Sequence, residues 1–308
     1  MPNQLTLTAN SDIFVLSDYK SQADKVFDLL DVSGTTRADY KYRISLFLNY
    51  VASKGFNRNS FLEFKRNLAE RTDLSTATKN KYLATAKIFL KEINRQGLLP
   101  ADITQNIKLF SQSKRHKKDG LNDGEITSIS ERIKLLPKDA KNTRLKAILS
   151  LLALQGLRQI EITRLNISDL DLVNKTALIQ GKGRDDKELI DLHPETIKAL
   201  QDYTTANNIK DGALFTSQSN NSKAQRLTTR AIRAIVKQTL TSLGIDKSTH
   251  GFRHYFTTKL IKTYKGDLLE VALYTRHKSL EMLTVYNDNI KKQADLPRYY
   301  QAFSGVSF

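Results

Sequence analysis

The chain has 308 residues, 40% of them hydrophobic, which is enough for two ordinary domains with cores of their own. Its 49 Lys and Arg residues against 32 Asp and Glu residues give a formal net charge of +17, which favours a polyanionic partner such as nucleic acid. The absence of cysteine excludes disulfides, thiol catalysis and cysteine metal sites. The sequence has neither a membrane-length apolar run nor a signal-peptide pattern, so a cytoplasmic protein without a membrane partner is expected.

The N-terminal third of the chain has the periodicity of a small helical domain. Residues 1–16 show no sustained period and are expected to form an irregular lead-in. Apolar residues from Tyr40 to Val51, and again from Tyr82 to Ile93, recur at i, i+4, i+7, i+8 and i+11, which marks one face of a helix. A third apolar set, from Phe61 to Leu68, predicts a helix between them. Residues 17–107 are therefore predicted to form an all-helical domain.

Basic residues cover this predicted domain and the segment after it. Residues 108–120 include a polar, strongly basic run and are expected to link two domains. Such a linker is suited to close over a nucleic acid backbone, and a plain solvated tether is the alternative. For any single lysine, a solvated helix face is the simpler explanation. The candidate nucleic-acid-binding residues of this part of the chain are Lys65, Lys79, Lys81, Lys87, Lys114, Arg115, Lys117 and Lys118.

The C-terminal two-thirds of the chain combine helical periods with one β-hairpin. The apolar segment from Arg144 to Leu154 predicts a buried helix. After it, TALIQ and KELIDL predict two short strands around the polar turn GKGRDD, which places Lys182 between two glycines. A later helix is predicted from Thr228. On that helix, Arg230 and Arg233 are the residues expected to face the groove of a nucleic acid.

The segment from His250 to Tyr286 concentrates residue types that bind and attack a phosphodiester. If the part around His250 is helical, the i, i+3 spacing places His250 and Arg253 on one face, about one turn apart. A second predicted helix, from Asp267 to Thr275, leads to His277. Tyr286 has apolar neighbours and is expected on a short, partly buried element.

Attack by a side chain on a phosphodiester builds negative charge that metal ions or fixed Arg and Lys side chains must stabilise. The sequence has no compact cluster of Asp, Glu or His at metal-ligand spacing, so no metal or other cofactor is expected. Arg158 and Arg253 carry the planar fork that matches a phosphate. A tyrosine with its ordinary pKa of about 10 needs a neighbouring base to attack, and His250 is the best candidate for Tyr286.

Each of these motifs is common by chance, but their combination in this order is specific. The residues that carry it are Gln155-Gly156-Leu157-Arg158-Gln159-Ile160-Glu161, Gly181-Lys182-Gly183, His250-Gly251-Phe252-Arg253, His277 and Tyr286. On these residues, the segment 121–290 resembles the catalytic domain of the tyrosine recombinases, the integrase and Xer-like family. The segment 17–107 resembles the core-binding domain of the same family. Arg276 is a departure, since the family commonly has a small residue, often Gly, before this histidine.

The resemblance implies a two-domain, C-shaped DNA clamp that is mainly α-helical, with a small β-hairpin or sheet in a mixed α+β catalytic domain. It implies that Lys182 protonates the leaving 5′ oxygen and that His277 hydrogen-bonds the scissile phosphate. Glu161 would orient Arg158 or His250, and a helix-stabilising role for Glu161 is the alternative. The catalytic residues implied are Arg158, Lys182, His250, Arg253, His277 and Tyr286.

The function implied is site-specific DNA recombination without metal or ATP, through a 3′-phosphotyrosyl intermediate and a four-way junction. The biological role would be chromosome dimer resolution or the integration and excision of a mobile element. Because the lead-in is too short for an arm-binding module, double-stranded DNA with short inverted core sites is the expected substrate, and the protein is expected at the nucleoid. An accessory protein is a further possible partner.

The segment 291–308 is rich in aromatic residues and short for a domain. By resemblance it would pack into a neighbouring protomer and hold a homotetramer together on DNA; a helix folded back on its own domain is the alternative.

Two other functions stay open from the sequence. One is a type IB topoisomerase-like enzyme that relaxes DNA, and the other is a DNA-binding protein without cutting activity.

Overall fold

The computed structural model describes residues 19–112, 120–219, 224–277, 279–302 and 304–305. Contacts divide the chain into two compact units, Met1–Ser113 and Lys114–Phe308. The predicted lead-in, residues 1–16, lies outside the described residues, as do Lys114, Arg115, Lys117 and Lys118 of the predicted linker. In the parts of the chain that the structure describes, no helix combines the length and the apolar character needed to cross a membrane.

Between residues 19 and 112, the first unit has four helices: α1 (Tyr19–Asp28), α2 (Gly34–Lys54), α3 (Ser60–Glu70) and α4 (Thr76–Arg95). Serine side chains start the two longest helices, because Ser33 accepts from the Thr36 amide and Ser75 from the Thr78 amide. The helices share a core of phenylalanine rings, as their apolar spacing predicts. Its fully buried rings are Phe27, Phe47, Phe56, Phe61, Phe64 and Phe89.

The described residues of the second unit form eight α-helices and a small sheet. The helices are α5 (Asp123–Lys134), α6 (Ala140–Leu154), α7 (Gln159–Arg164), α8 (Pro194–Ala206), α9 (Thr229–Ser242), α10 (Thr249–Thr263), α11 (Leu268–Thr275) and α12 (Leu280–Gln301). A short 3-10 helix, Ile167–Asp169, leads into the sheet. Helix α6 is the centre of the unit, since it packs against α7, α8, α9 and α10. Helix α6 is therefore largely buried, as its apolar sequence predicts.

The sheet is antiparallel with the order β1 (Leu170–Asp171), β2 (Thr176–Gln180), β3 (Lys187–Asp191). The β2–β3 register runs from Thr176 opposite Asp191 to Gln180 opposite Lys187, so the Gly-rich turn closes the hairpin as predicted. Strand β1 was not predicted, because two residues are too few to show an alternating pattern.

Two predictions about the C-terminal region need correction. Tyr286 does not lie on a short element: it belongs to α12, a helix of 22 residues, and is 7% exposed. The predicted tail 291–308 is not separate from the tyrosine, because α12 continues through Pro297 to Gln301. Helix α12 packs against α10 and α11, and its buried hydrophobic residues, Leu283 and Tyr286, lie in its first half.

Candidate active site

One cavity of about 400 Å³ brings together side chains from α7, the β2–β3 turn, α10, the end of α11 and α12. All six predicted catalytic residues line it, together with Glu161. The cavity is lined by Arg158, Glu161, Ile179, Gly181, Lys182, Arg184, Glu188, His250, Arg253, Arg276, His277, Ser279, Met282 and Tyr286. Its charged groups are mainly cationic, which suits an anionic ligand.

Arg158 stands directly before α7 and is tied to Glu161 three residues later. Glu161 is 1% exposed; its Oε1 accepts from Arg158 Nη1 at 2.8 Å and its Oε2 accepts from the Arg158 backbone N–H at 2.8 Å. One carboxylate therefore caps the first turn of α7 and holds the guanidinium group. Arg158 remains partly exposed to the cavity, so it is available to a ligand.

Arg253 on α10 is 3% exposed and is held by backbone oxygens of two other elements. Its Nη1 donates to the Gly156 carbonyl at 2.7 Å and its Nη2 to the Thr275 carbonyl at 2.6 Å. Burial, and then the nearby Arg158, lower the pKa of Arg253 to about 10. The guanidinium group is still protonated at neutral pH, and its direction is set by the backbone.

His277 follows the end of α11, and its Nδ1 lies 2.7 Å from the Thr275 hydroxyl. Burial lowers the pKa of His277 to about 4, and the positive charges of Arg253, Arg158 and Arg276 act in the same direction. His277 is therefore neutral near pH 7. It serves as a hydrogen-bonding group and adds no charge of its own to the cavity.

Tyr286 on α12 lies against two histidines. Its ring centroid is 5.0 Å from that of His254 and 6.4 Å from that of His277. Burial raises the pKa of Tyr286, while the charges of Arg253 and Arg158 oppose part of this rise. The phenol is therefore neutral at physiological pH. For its oxygen to attack a substrate, a nearby base must accept the phenol proton.

Lys182 projects from the turn between β2 and β3 and is exposed. Arg164, at the end of α7, donates from Nη1 to the Gly181 carbonyl at 2.9 Å and so fastens the turn next to Lys182. Arg184 in the same turn pairs with Glu188 at 3.0 Å. Lys182, on the turn of the hairpin, therefore lines the same cavity as Arg158.

Three residues of this region were not identified as functional from the sequence. His254 was not among the predicted site residues, yet its ring lies 4.6 Å from that of His250 and 5.0 Å from that of Tyr286. The sequence feature that could have identified His254 is its i+4 spacing from His250, which places both side chains on one face of a helix. Arg276 and Arg184 both line the cavity. The sequence could have pointed to them only through their positions, since Arg276 directly precedes His277 and Arg184 lies two residues after Lys182.

The candidate DNA-binding residues of the two units differ in their surroundings. Lys65 lies over the Phe110 ring at 5.5 Å, whereas Lys79 and Lys87 donate to the backbone carbonyls of Ala69 and Ile107. These three lysines therefore also stabilise their own unit. Lys81, Arg230 and Arg233 are exposed.

Within the described ranges, no three or more His, Asp or Glu side chains are grouped so that they could hold a metal ion. The arginine and lysine side chains that line the cavity are Arg158, Lys182, Arg184, Arg253 and Arg276.

Comparisons with known proteins place residues 122–293 in one family: they match the model described as the phage integrase family. Tyrosine recombinase slr0733 of Synechocystis sp. is 29% identical over 70% of this chain and 70% of its own length. Tyrosine recombinase XerC of Lactobacillus delbrueckii subsp. bulgaricus is 28% identical over 77% of this chain and 80% of its own.

Solved structures share the fold at lower identity. The XerH site-specific recombinase bound to palindromic difH substrate, a post-cleavage complex, has a TM-score of 0.72 and 24% identity over 92% of this chain and 84% of its own. A lambda integrase tetramer bound to a Holliday junction has a TM-score of 0.66 and 12% identity over 86% and 75%. The predicted fold class, mainly α with a small sheet in the catalytic domain, is confirmed.

Proposed function

The chain belongs to the phage integrase family and is a tyrosine-type site-specific recombinase, and on that premise we propose that Tyr286 is the nucleophile that cuts DNA at the cavity described above. The single observation that carries this proposal is that Tyr286 shares one cavity with Arg158, Lys182, His250 and Arg253. Burial raises the pKa of Tyr286, and the charges of Arg253 and Arg158 oppose that rise. A titratable side chain with a shifted pKa in a cavity of this kind supports a catalytic role.

In the proposed first step, the scissile phosphate binds between Arg158 and Arg253. Their guanidinium groups stabilise the negative charge that grows on the non-bridging oxygens, in place of a metal ion. Arg253 is suited to this because two backbone carbonyls fix its direction before substrate binds. His277, neutral at working pH, donates a hydrogen bond to the same phosphate.

The bonds and protons of the step balance without a cofactor. The Tyr286 oxygen forms a bond to phosphorus and passes its proton to His250, while the bond from phosphorus to the 5′ oxygen breaks. Lys182 gives a proton to that leaving oxygen. The products are a 3′-phosphotyrosyl ester and a free 5′-hydroxyl. Attack by a 5′-hydroxyl from a partner duplex reverses the chemistry and joins the strands through a four-way junction, so no ATP is needed.

We propose that both units bind DNA. The first unit would be the core-binding domain, with residues 17–107, and residues 108–120 would be a basic linker. The net charge of +17 and the exposed Lys81, Arg230 and Arg233 support contact with phosphates. XerH and lambda integrase have been solved on DNA, which supports the same kind of partner here.

We further propose that the C-terminal part of α12 holds a homotetramer together on DNA. From residue 291 onward nearly every described residue is exposed, including Tyr299 and Tyr300 at 57% and 63%. Two aromatic side chains at that exposure are suited to a pocket on another protomer. The substrate would be a pair of short inverted core sites, and the role chromosome dimer resolution or mobile-element integration and excision.

The test is to incubate the protein with end-labelled duplexes from the DNA that flanks its gene, quench in denaturant, and look for a covalent adduct. We expect an adduct on the 3′ phosphate with wild type and none with Tyr286→Phe, which retains DNA binding. An equal adduct with Tyr286→Phe would disprove the nucleophile. Relaxation of a supercoiled plasmid that lacks the target site would instead favour a topoisomerase-like activity.

A further inference from the structure

We propose that Arg276 is a positioning residue for Arg158, and that it acts by sharing the carboxylate of Glu161. This inference rests on the proposed function of the cavity. Arg276 lines the same cavity as Tyr286, and its effect on cleavage passes through Glu161.

The first observation is the backbone of Arg276. The residue ends α11 in the left-handed conformation, with φ 54° and ψ 42°. A residue with a side chain is unfavourable there, and glycine or asparagine is the usual choice at the end of a helix. An arginine in this position carries a backbone cost, so its side chain must contribute something that glycine lacks.

The second observation is the burial of its side chain, which is 4% exposed. A buried guanidinium group is costly unless it is paired. Arg276 Nη2 donates to Glu161 Oε2 at 3.2 Å, and Glu161 is itself 1% exposed. The two residues are 115 positions apart in the chain, so this pair joins the end of α11 to the start of α7.

The third observation is that Glu161 serves two arginines. Its Oε1 accepts from Arg158 Nη1, while its Oε2 accepts from both the Arg158 backbone N–H and Arg276 Nη2. One negative charge thus lies between two guanidinium groups. Without Arg276, the whole charge of Glu161 would attract Arg158 and compete with the substrate phosphate for it.

The turn from Thr275 to His277 also positions the other two residues that are proposed to bind the phosphate, Arg253 and His277. The Thr275 carbonyl accepts from Arg253, and the Thr275 hydroxyl lies 2.7 Å from His277 Nδ1. The peptide before Arg276 therefore fixes Arg253, and the residue after it is His277. An ion pair that anchors this turn to Glu161 keeps Arg158 in register with Arg253 and His277.

The experiment measures cleavage at saturating protein on a nicked duplex made from the site that wild type cuts. The variants are Arg276→Gly, Glu161→Gln, the double variant, and Arg276→Lys. Arg144→Met is the matched control, because Arg144 is also a buried arginine, on α6, and donates to the Thr216 carbonyl away from the cavity. Rates are divided by the folded, DNA-binding fraction, which removes losses due to instability.

We expect Arg276→Gly to lower the cleavage rate roughly 10- to 100-fold, with the DNA Kd changed less than about 3-fold, because a small displacement of Arg158 affects the transition state most. In the Glu161→Gln background the same change should cost less than about 3-fold, since the two residues act as one unit. Arg276→Lys, which keeps the charge, should recover part of the rate. Arg144→Met should lower the melting temperature and leave the normalised rate at the wild-type value.

A normalised rate for Arg276→Gly equal to wild type would overturn the inference and leave Tyr286 as the nucleophile. Losses that multiply fully in the double variant would also overturn it, because they would mean that Arg276 acts independently of Glu161. Failure of wild type itself to form an adduct on any DNA would overturn the proposed function together with this inference.

Discussion

Arg253 Nη2 donates to the backbone carbonyl of Thr275 at 2.6 Å, and this bond joins α10 to the end of α11 two residues before His277. Together with the bond from Nη1 to the Gly156 carbonyl, it means that Arg253 is oriented by backbone and not by a carboxylate. A guanidinium group held by neutral carbonyls keeps its full positive charge for a substrate phosphate.

Replacing Arg253 with lysine should therefore be harmful even though the charge is kept. An ammonium group cannot reach both carbonyls with the fork geometry, so one buried acceptor loses its donor. We expect Arg253→Lys to lower the free energy of unfolding by about 2–4 kcal/mol. The rate of adduct formation should fall at least about 100-fold. Urea unfolding and the covalent-adduct assay measure the two effects, and a variant with wild-type values of both would contradict this account.

Gly156 supplies one of those carbonyls and should not tolerate a side chain. Its φ is +59°, and a Cβ would lie 2.3 Å from Cδ1 of Phe256. We expect Gly156→Ala to cost about 2–4 kcal/mol from strain and overpacking, and to reduce cleavage by displacing Arg253.

Gly212→Ala is the matched control for this change. Gly212 has a φ of +67° and no atom within 4 Å of the added Cβ, so it carries the backbone strain alone, about 1 kcal/mol. Equal destabilisation by the two variants in thermal melts would show that the Phe256 contact is not the cause.

Stability should depend on pH through His277. Its folded-state pKa is about 4, against 6.5 as the ordinary value. As pH falls from 6.5 towards 4, the unfolded chain binds a proton that the folded protein does not, so the free energy of unfolding should decrease across that window and be level above it. His277→Asn should remove this part of the slope. Urea titrations at several pH values test it, and an NMR titration with His277 protonating near 6.5 would contradict it.

Removal of the end of α12 should abolish assembly on DNA while leaving the protein folded. The described residues from 295 to 305 are exposed apart from the partly buried Leu296. We therefore expect deletion of residues 295–308 to change the free energy of unfolding by less than about 1 kcal/mol. Tetramers on DNA should be lost, as measured by mass photometry. Tyr299→Ala with Tyr300→Ala is the narrower variant and should weaken assembly in the same direction. Unchanged tetramer formation after the deletion would defeat the proposed exchange of this segment.

The elements that sequence reasoning found are those with long, strong periods. Helices α2, α3 and α4 of the first unit, α6 and the β2–β3 hairpin lie where apolar spacing and the Gly-rich turn predict them. Strand β1, with two residues, had no period to detect. The full length of α12 was missed because its second half is exposed on both faces and has no apolar stripe.

The sequence by itself determined the chemical groups and their order: two arginines, a lysine in a turn, two histidines and a tyrosine, in a chain with a net charge of +17. It did so because side-chain chemistry and helical spacing are local properties. Only the tertiary structure decided that Arg253 is held by two carbonyls, that His277 is neutral, and that Glu161 serves both Arg158 and Arg276. Those features depend on burial and on contacts between residues up to 115 positions apart, which no local pattern encodes.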